Sequence, residues 1–398
     1  MQKTLKKIWP VAASLVVFTS LCFADTDDVR ARNLESRMEA SGNRTAASEK
    51  QIAASENRLT ALEQQLGANG EVTPSGRAQV NSGANLFITA DALYWDAHEG
   101  GLPLFIENNG QGFSSNLNNA DAKGLHWKWN WGFRLGLGYN TPHDGWDLVL
   151  TWTRIDGRAH EREEVGNNDA LWGTFTQPGA FVINPVTLVP ITLGDGLFTK
   201  SHTRWKLQLN QIDLDIGREF FVSKCLTLRP YFGLRTDWIH QKLNIHYNRF
   251  RGSSGQSYEV ELYNHFWGLG VAAGLDTQWS LGKGWSIYGN AAFAILYGFH
   301  KLDREDELSA GIKFDYVDMD WNYRISRSIA DLQLGLRWDT MLQNDRFHFG
   351  IQVGWEHHIY FSQNQFPRFI GSSAIGDFVA NQGNLTFQGW AFSARFDF

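Results

Sequence analysis

Cysteine is nearly absent, with Cys22 and Cys225 the only two in 398 residues. Two thiols exclude a disulfide scaffold and a four-thiolate zinc site. Neither CxxC nor HExxH spacing occurs, so no metal or cofactor is expected. A basic excess is missing too. The 36 Lys and Arg stand against 42 Asp and Glu, a formal charge of −6, which argues against a phosphate-backbone binder and so against nucleic acid. Proline is scarce, at 9 residues. Beyond the first two dozen residues no apolar run approaches the ~20 that a membrane helix needs, and the mean hydropathy is −0.33. What abounds is aromatic: 27 Phe, 17 Trp and 11 Tyr, beside 39 Gly. If these rings meet a membrane, the chain must cross it by the other permitted route, a closed β-barrel.

The N-terminus carries a destination before it carries a fold. Lys3, Lys6 and Lys7 precede an apolar run from Val11 to Phe23, and Ala24 offers a small residue before Asp25. This predicts an export signal over 1–24, cleaved after Ala24. Leu21 before Cys22 is too large for a lipoprotein cleavage site, so Cys225 is the one mature thiol. Residues 25–67 read as a helix. AASEKQI (46–52) and AASENRL (53–59) repeat at heptad spacing, and Ala31, Met38, Thr45, Ile52, Leu59 and Leu66 share one seam position. That predicts a periplasmic coiled coil, with a homo-oligomer such as a trimer formed through residues 30–66. Gly70, Pro74, Gly76 and Gly83 mark 68–84 as a linker.

From residue 85 to 398 the period becomes two. Trp131, Phe133, Leu135, Leu137 and Tyr139 alternate with Gly132, Arg134, Gly136, Gly138 and Asn140. Leu332, Leu334, Leu336 and Trp338 do the same, as do Phe347, Phe349, Ile351, Val353 and Trp355. One face is apolar and the other polar or glycine, and aromatic residues gather toward segment ends, as a lipid interface requires. Strands are expected near 86–97, 127–140, 145–159, 200–219, 225–247, 259–281, 284–301, 324–340, 346–362 and 384–398. Short links at 141–144, 220–224, 282–284 and 341–345 alternate with long ones at 98–126, 160–199, 248–258, 302–323 and 363–383. This is the pattern of an all-β, closed antiparallel transmembrane barrel in the outer membrane. Ten strands are counted; a further hairpin in 171–193 or 306–320 would make twelve. Trp390, Phe392, Phe396 and Phe398 alternate to a terminal Phe, an ending that resembles the signal read by the barrel-assembly machinery.

With these segments in hand, the chain resembles the major-outer-membrane-protein-like pore-forming family of Legionella and chlamydia-related bacteria. The likeness rests on FITADALYWDAHEGGL (87–102), WGFRLGLGYNTPHDGWDLVLTWTRI (131–155), IDLDIGREF (212–220), LRPYFGLRTDWIHQKL (228–243), the run from 267 to 298 and the aromatic end. It implies an abundant barrel in outer-membrane lipid that passes small hydrophilic solutes passively. It supplies no catalytic or constriction residue to carry over.

If the alternation holds, Arg134, Asp147, Arg229, Arg235, Asp237, Asp276, Asp331, Arg337, Asp339 and Glu356 face inward, with Arg395 and Asp397. Both signs together predict a wet, weakly selective, porin-like pore. A ten-stranded lumen is also narrow enough for side chains to fill, giving a structural or adhesive barrel instead. A surface hydrolase is the least expected reading. Its candidate groups are Asp156 with His160, His240 near Asp237, Asp303 with Asp306, and Asp213 with Asp215. His357 and His358 are adjacent in a strand and must point apart.

Overall fold

The computed structural model describes residues 74–398, apart from 82, 109–119, 143, 167–168, 177–180, 184–189, 193–196, 251–255, 311–312 and 371–376. The expected export signal, the heptads and the first residues of the linker lie outside the described residues.

Ten long strands form the wall: β1 (Leu86–Glu99), β2 (Trp129–Asn140), β3 (Trp146–Glu164), β4 (Leu197–Arg218), β5 (Leu226–Phe250), β6 (Gln256–Gly282), β7 (Trp285–Ala310), β8 (Lys313–Leu342), β9 (Phe347–Asn364) and β10 (Gly383–Asp397). Each pairs antiparallel with the next, from β1 with β2 through β4 with β5 to β9 with β10. β10 then pairs back onto β1, from Phe87 opposite Asp397 to Glu99 opposite Leu385. The ladder returns on itself, so every wall strand has a partner on both sides, as lipid demands of any backbone it surrounds. Among the described residues no helix is long and apolar enough to cross a membrane.

The short turns fall where the sequence places them. Between β6 and β7 the turn residues Lys283 and Gly284 have φ of 54° and 82°, as a two-residue hairpin whose twist matches its strands requires. Two of the five expected long links are mostly strand. Ladder pairs climb β5 and β6 as far as Asn248 with Ser257, and β7 and β8 as far as Ser309 with Lys313. Residues 306–320 are therefore the top of one hairpin, and the count is ten. The 171–193 segment adds no wall strand. It contributes Ala170–Gly173, which pairs at the rim with Leu197 and Phe198 and with Phe105–Asn108. It also contributes Phe181–Ile183, which pairs with Pro190–Thr192 in a separate small sheet.

The charged pieces HEREE (160–164) and DREDE (303–307), expected in loops, are also strand. Charge misleads here because only the outer face of these strand tops meets water. The inner face carries Tyr247, Tyr258, Val260, Leu262, Leu302 and Leu308, all fully buried.

The apolar face changes sides along the chain. On the short-turn half of β4, Ile212, Leu214 and Ile216 point outward; further up, Trp205, Leu207 and Leu209 point inward and are buried, while Lys206, Gln208 and Asn210 take the outside. β5 passes from outward Phe232 and Leu234 to inward Ile239, Leu243 and Ile245. β6 passes from outward Trp267, Leu269 and Val271 to inward Phe266, Leu262 and Val260. Apolar outside with polar inside is the pattern of a wall in lipid; the reverse is that of a barrel in water. The inversion marks where lipid ends.

Aromatic rings edge the outward apolar zone. Trp267 stacks on Phe299 with centroids 5.9 Å apart, beside Trp238 in the same register row. Tyr94, Trp131, Trp355 and Trp390 continue this edge on the other strands. Trp279, Trp285 and Trp338 lie near the short turns. Trp267 and Trp279 stand twelve residues apart on β6. At ~3.3 Å per residue and a tilt near 40°, that is about 30 Å, the thickness of a hydrocarbon core. β5 to β8, at 25, 27, 26 and 30 residues, are far longer than the ~10 residues needed to cross. The remainder stands clear of the apolar zone.

Candidate functional site

The interior has two levels. On the short-turn half, alternation brings every expected inward charge to the inner face, and most of them find one another across the lumen. Arg134 of β2 donates a two-pronged pair of bonds to Glu356 of β9, at 2.9 and 3.0 Å, and a third to Asp91 of β1 at 3.1 Å. His358 lies between Glu356 (3.2 Å) and Asp331 (2.8 Å). Asp331 also accepts from Arg235 of β5 at 2.6 Å, and Arg235 donates to Asp213 of β4 at 2.6 Å. One continuous chain of charge thus joins β1 and β2, through β9 and β8, to β5 and β4. Bonds of this kind, ionised on both sides, are roughly twice as strong as neutral ones.

A second cluster lies nearer the short turns. Arg229 binds Asp147 at 2.5 to 3.1 Å and Asp276 at 2.9 Å. Arg337 binds Asp339 at 2.9 Å, and His348 bridges Asp339 and Asp397. Arg395 is held by Asp397 at 2.7 Å. Of the expected inward residues, Asp237 alone has no hydrogen bond into either cluster; it is fully buried one inward step above Arg235, within the field of that guanidinium and of Asp213 and Asp331. The clusters surround a cavity of about 310 Å³ whose lining includes Arg134, Arg229, Arg235, Asp276, Asp331 and Arg337. At its short-turn end the linker residues 74–81 run across the rim. Gly76 N donates to Glu219 O, Asn81 N to Asp345 O, and Arg77 to Trp146 O.

The upper level is largely apolar, with Glu99, Gln241, Asn264, His300 and Arg327 buried in it and bonded among themselves. Trp95, Trp205, Ile239, Leu243, Phe266, Leu296, Ile329, Tyr360 and Phe387, from eight different wall strands, meet in one apolar cluster. A lid of loops sits on it, and Arg304 of β7 ties the lid down. This fully buried guanidinium binds Asp306 at 2.7 to 3.1 Å, donates to the Phe175 and Pro367 carbonyls at 2.6 and 2.9 Å, and stacks on Phe369. Tyr258 donates to Asp306 at 2.6 Å. These groups stand above the apolar zone, and burial holds the Asp306 carboxyl above its ordinary range even with Arg304 beside it.

The hydrolytic candidates do not assemble. Asp237 faces in and His240 out; Asp303 faces out and Asp306 in. Asp156 and His160 both face outward, where Asp156 accepts from Gln208. Asp213 and Asp215 share the inner face as expected, and His357 and His358 point apart. Among the described residues no group of three or more His, Cys, Asp or Glu is placed to hold a metal. Cys225 is exposed on a short turn. The aromatic end lies as alternation predicts: Trp390 and Phe392 are exposed on the outer face, and Phe396 stacks on Phe347 near Phe398.

A family profile described as the Legionella pneumophila major outer membrane protein precursor matches residues 81–398. The chain belongs to this family. It resides in the outer membrane, and the outward apolar zone between the aromatic edges is its lipid-facing wall. The solved structures that the chain matches are distant. The outer membrane protease of Escherichia coli is 7% identical, with 81% of this chain and 99% of that one covered at a TM-score of 0.36. A major outer membrane protein from Thermus thermophilus is 11% identical, covering 79% and 99% at 0.27. A Pseudomonas aeruginosa FadL homologue is 8% identical, covering 78% and 89% at 0.25. Likeness at this level says nothing about activity. No curated protein matches the chain.

Proposed function

We propose that this family member is a filled outer-membrane barrel, a wall element of the envelope that is closed to small solutes in the conformation described. One observation carries the reading: apolar side chains from eight wall strands meet above the charged cavity and leave its upper end sealed. An ion would have to cross that tightly filled, largely apolar layer without most of its hydration shell, which costs far more than thermal energy. The paired charges below act as cross-braces between opposite walls. We assign the chain no catalytic role. We keep the outward aromatic end as the signal for barrel assembly, and residues 30–66 as the segment that would join copies.

A porin-like passive pore is the second reading. The cavity favours it, because a lining of both signs is what a weakly selective vestibule would have. Planar-bilayer recording of the folded full-length protein separates the two. The filled barrel gives no discrete current steps in molar potassium chloride. Reproducible unitary steps from the unmodified protein would replace it with the pore.

A further inference from the structure

Just above the lipid zone the outer wall is electrically two-sided. Over β7 and β8 it is mostly acidic, with Asp303, Glu305, Asp318 and Asp320 facing out and Lys301 paired to Asp303. Over β3 to β5 it is mostly basic, with Asp156, bonded to Gln208, one outward step nearer the aromatic edge. In one register row Arg158 of β3 stands opposite Lys206 of β4, and Lys206 stands opposite Lys242 of β5. Arg204 lies two residues further along β4 on the same face. Lys242 has a counter-charge in Glu261 at 2.9 Å. Arg158 and Lys206 are exposed and have no ion-pair partner among the described residues.

Like charges placed directly opposite on neighbouring strands, about 5 Å apart, destabilise a sheet. Arg158 and Lys206, the two without a counter-charge, are kept side by side at a cost unless an anion sits over them. The row's position says which anion. It lies four residues above the row of Arg154, Asn210 and Trp238, about 10 Å past the aromatic edge for a tilted strand. Long basic side chains there reach back to the headgroup plane, their stems lying along the wall. The long loops are on this side, which in an outer-membrane barrel is the cell surface.

We propose that Arg158, Lys206 and Arg204 form a docking site for the phosphate groups of an anionic lipid of the outer leaflet, with Lys242 at its edge. The site is on the outside of the wall and holds whether the lumen is open or filled. The bound lipid cancels the repulsion along the row and fixes which side of the barrel faces the phosphorylated lipid.

The test uses the full-length protein folded in dodecyl maltoside micelles and a fluorescent diphosphoryl glycolipid. The expected result is that R158A/K206A binds it about tenfold more weakly or worse, while K224A/K283A, which removes two exposed lysines at the opposite end, binds as the parent does. Fold is checked by tryptophan emission and heat-modifiable gel migration. If R158A/K206A fails to fold, R158Q/K206Q keeps the comparison with less loss of side chain. Equal affinity of the folded patch variant and the parent overturns the proposal. So does equal binding of the dephosphorylated glycolipid, which would mean acyl contact alone, or full displacement by about 10 mM inorganic phosphate, which would mean a free-anion site. A parent–variant difference that shrinks with added salt supports it, because exposed charges are screened within about 10 Å at 0.1 M.

Discussion

Arg304→Ala is expected to destabilise the folded barrel by about 3–5 kcal/mol, the usual cost of leaving one partner of a buried ion pair alone. Both partners are fully buried, and the guanidinium also satisfies the Phe175 and Pro367 carbonyls. The loss therefore falls on the lid as well as the wall. Limited proteolysis should cut the variant between residues 165 and 196 and between 365 and 382 under conditions that leave the parent intact. The deficit depends on pH in a defined direction. Burial already raises the Asp306 carboxyl above its ordinary value near 3.8, and without Arg304 nothing cationic opposes that. An acid with a raised folded-state pKa contributes most stability below its unfolded value and loses it as pH climbs through the folded one. Urea unfolding should thus show a small deficit near pH 4 that grows toward pH 8, and R304A/D306N should recover much of it. A deficit independent of pH and of Asp306 would mean that Arg304 acts by packing alone.

Arg235→Ala is the corresponding change in the lumen. Its two acceptors, Asp213 and Asp331, come from strands on either side of the ring. Removing the guanidinium leaves Asp213 without its ionic partner and Asp331 with only His358. A loss of about 3–5 kcal/mol is again expected, read as a lower urea midpoint at unchanged slope. Because replacing a buried ionic cluster by apolar groups is often nearly neutral, R235M/D213L/D331L should regain most of the loss. A triple variant as unstable as R235A would contradict the cross-brace. R235K should fall between, since an ammonium is a point charge and cannot reproduce the fork that holds two carboxylates at once.

The short-turn half of the wall was legible in the sequence. Trp131 to Tyr139, Leu332 to Trp338 and Phe347 to Trp355 alternate cleanly because lipid lies on one side of them and charge on the other. Arg134, Arg229, Arg235, Arg337 and Glu356 could therefore be assigned to the lumen by parity. The rest fails for a physical reason. On β1, Leu93 and Trp95 face in while Ile88, Ala92 and Tyr94 face out, so both faces are apolar and parity hides Asp91. On β4 and β5 the pattern stays regular but reverses, and the reversal looks like a loop or a new strand when it marks the end of the lipid. His358 could be placed on its face, but its clasp between Glu356 and Asp331 depends on the register of two strands. No single strand states that. The largely apolar upper core has no signature in any one segment, because its residues are spread over eight strands.

One wall serves two solvents, with hydrocarbon outside it up to the Trp238 row and water outside it beyond. Spin labels on β5 in a Cys225→Ser background test this directly, at Phe232→Cys, Leu234→Cys, Thr236→Cys, Lys242→Cys, Asn244→Cys and His246→Cys, each read for collision with oxygen and with a water-soluble nickel chelate in lipid vesicles. The first three should favour oxygen and the last three the chelate, with the crossover near Trp238. Oxygen preference persisting to residue 246, or chelate access at 234, would contradict it.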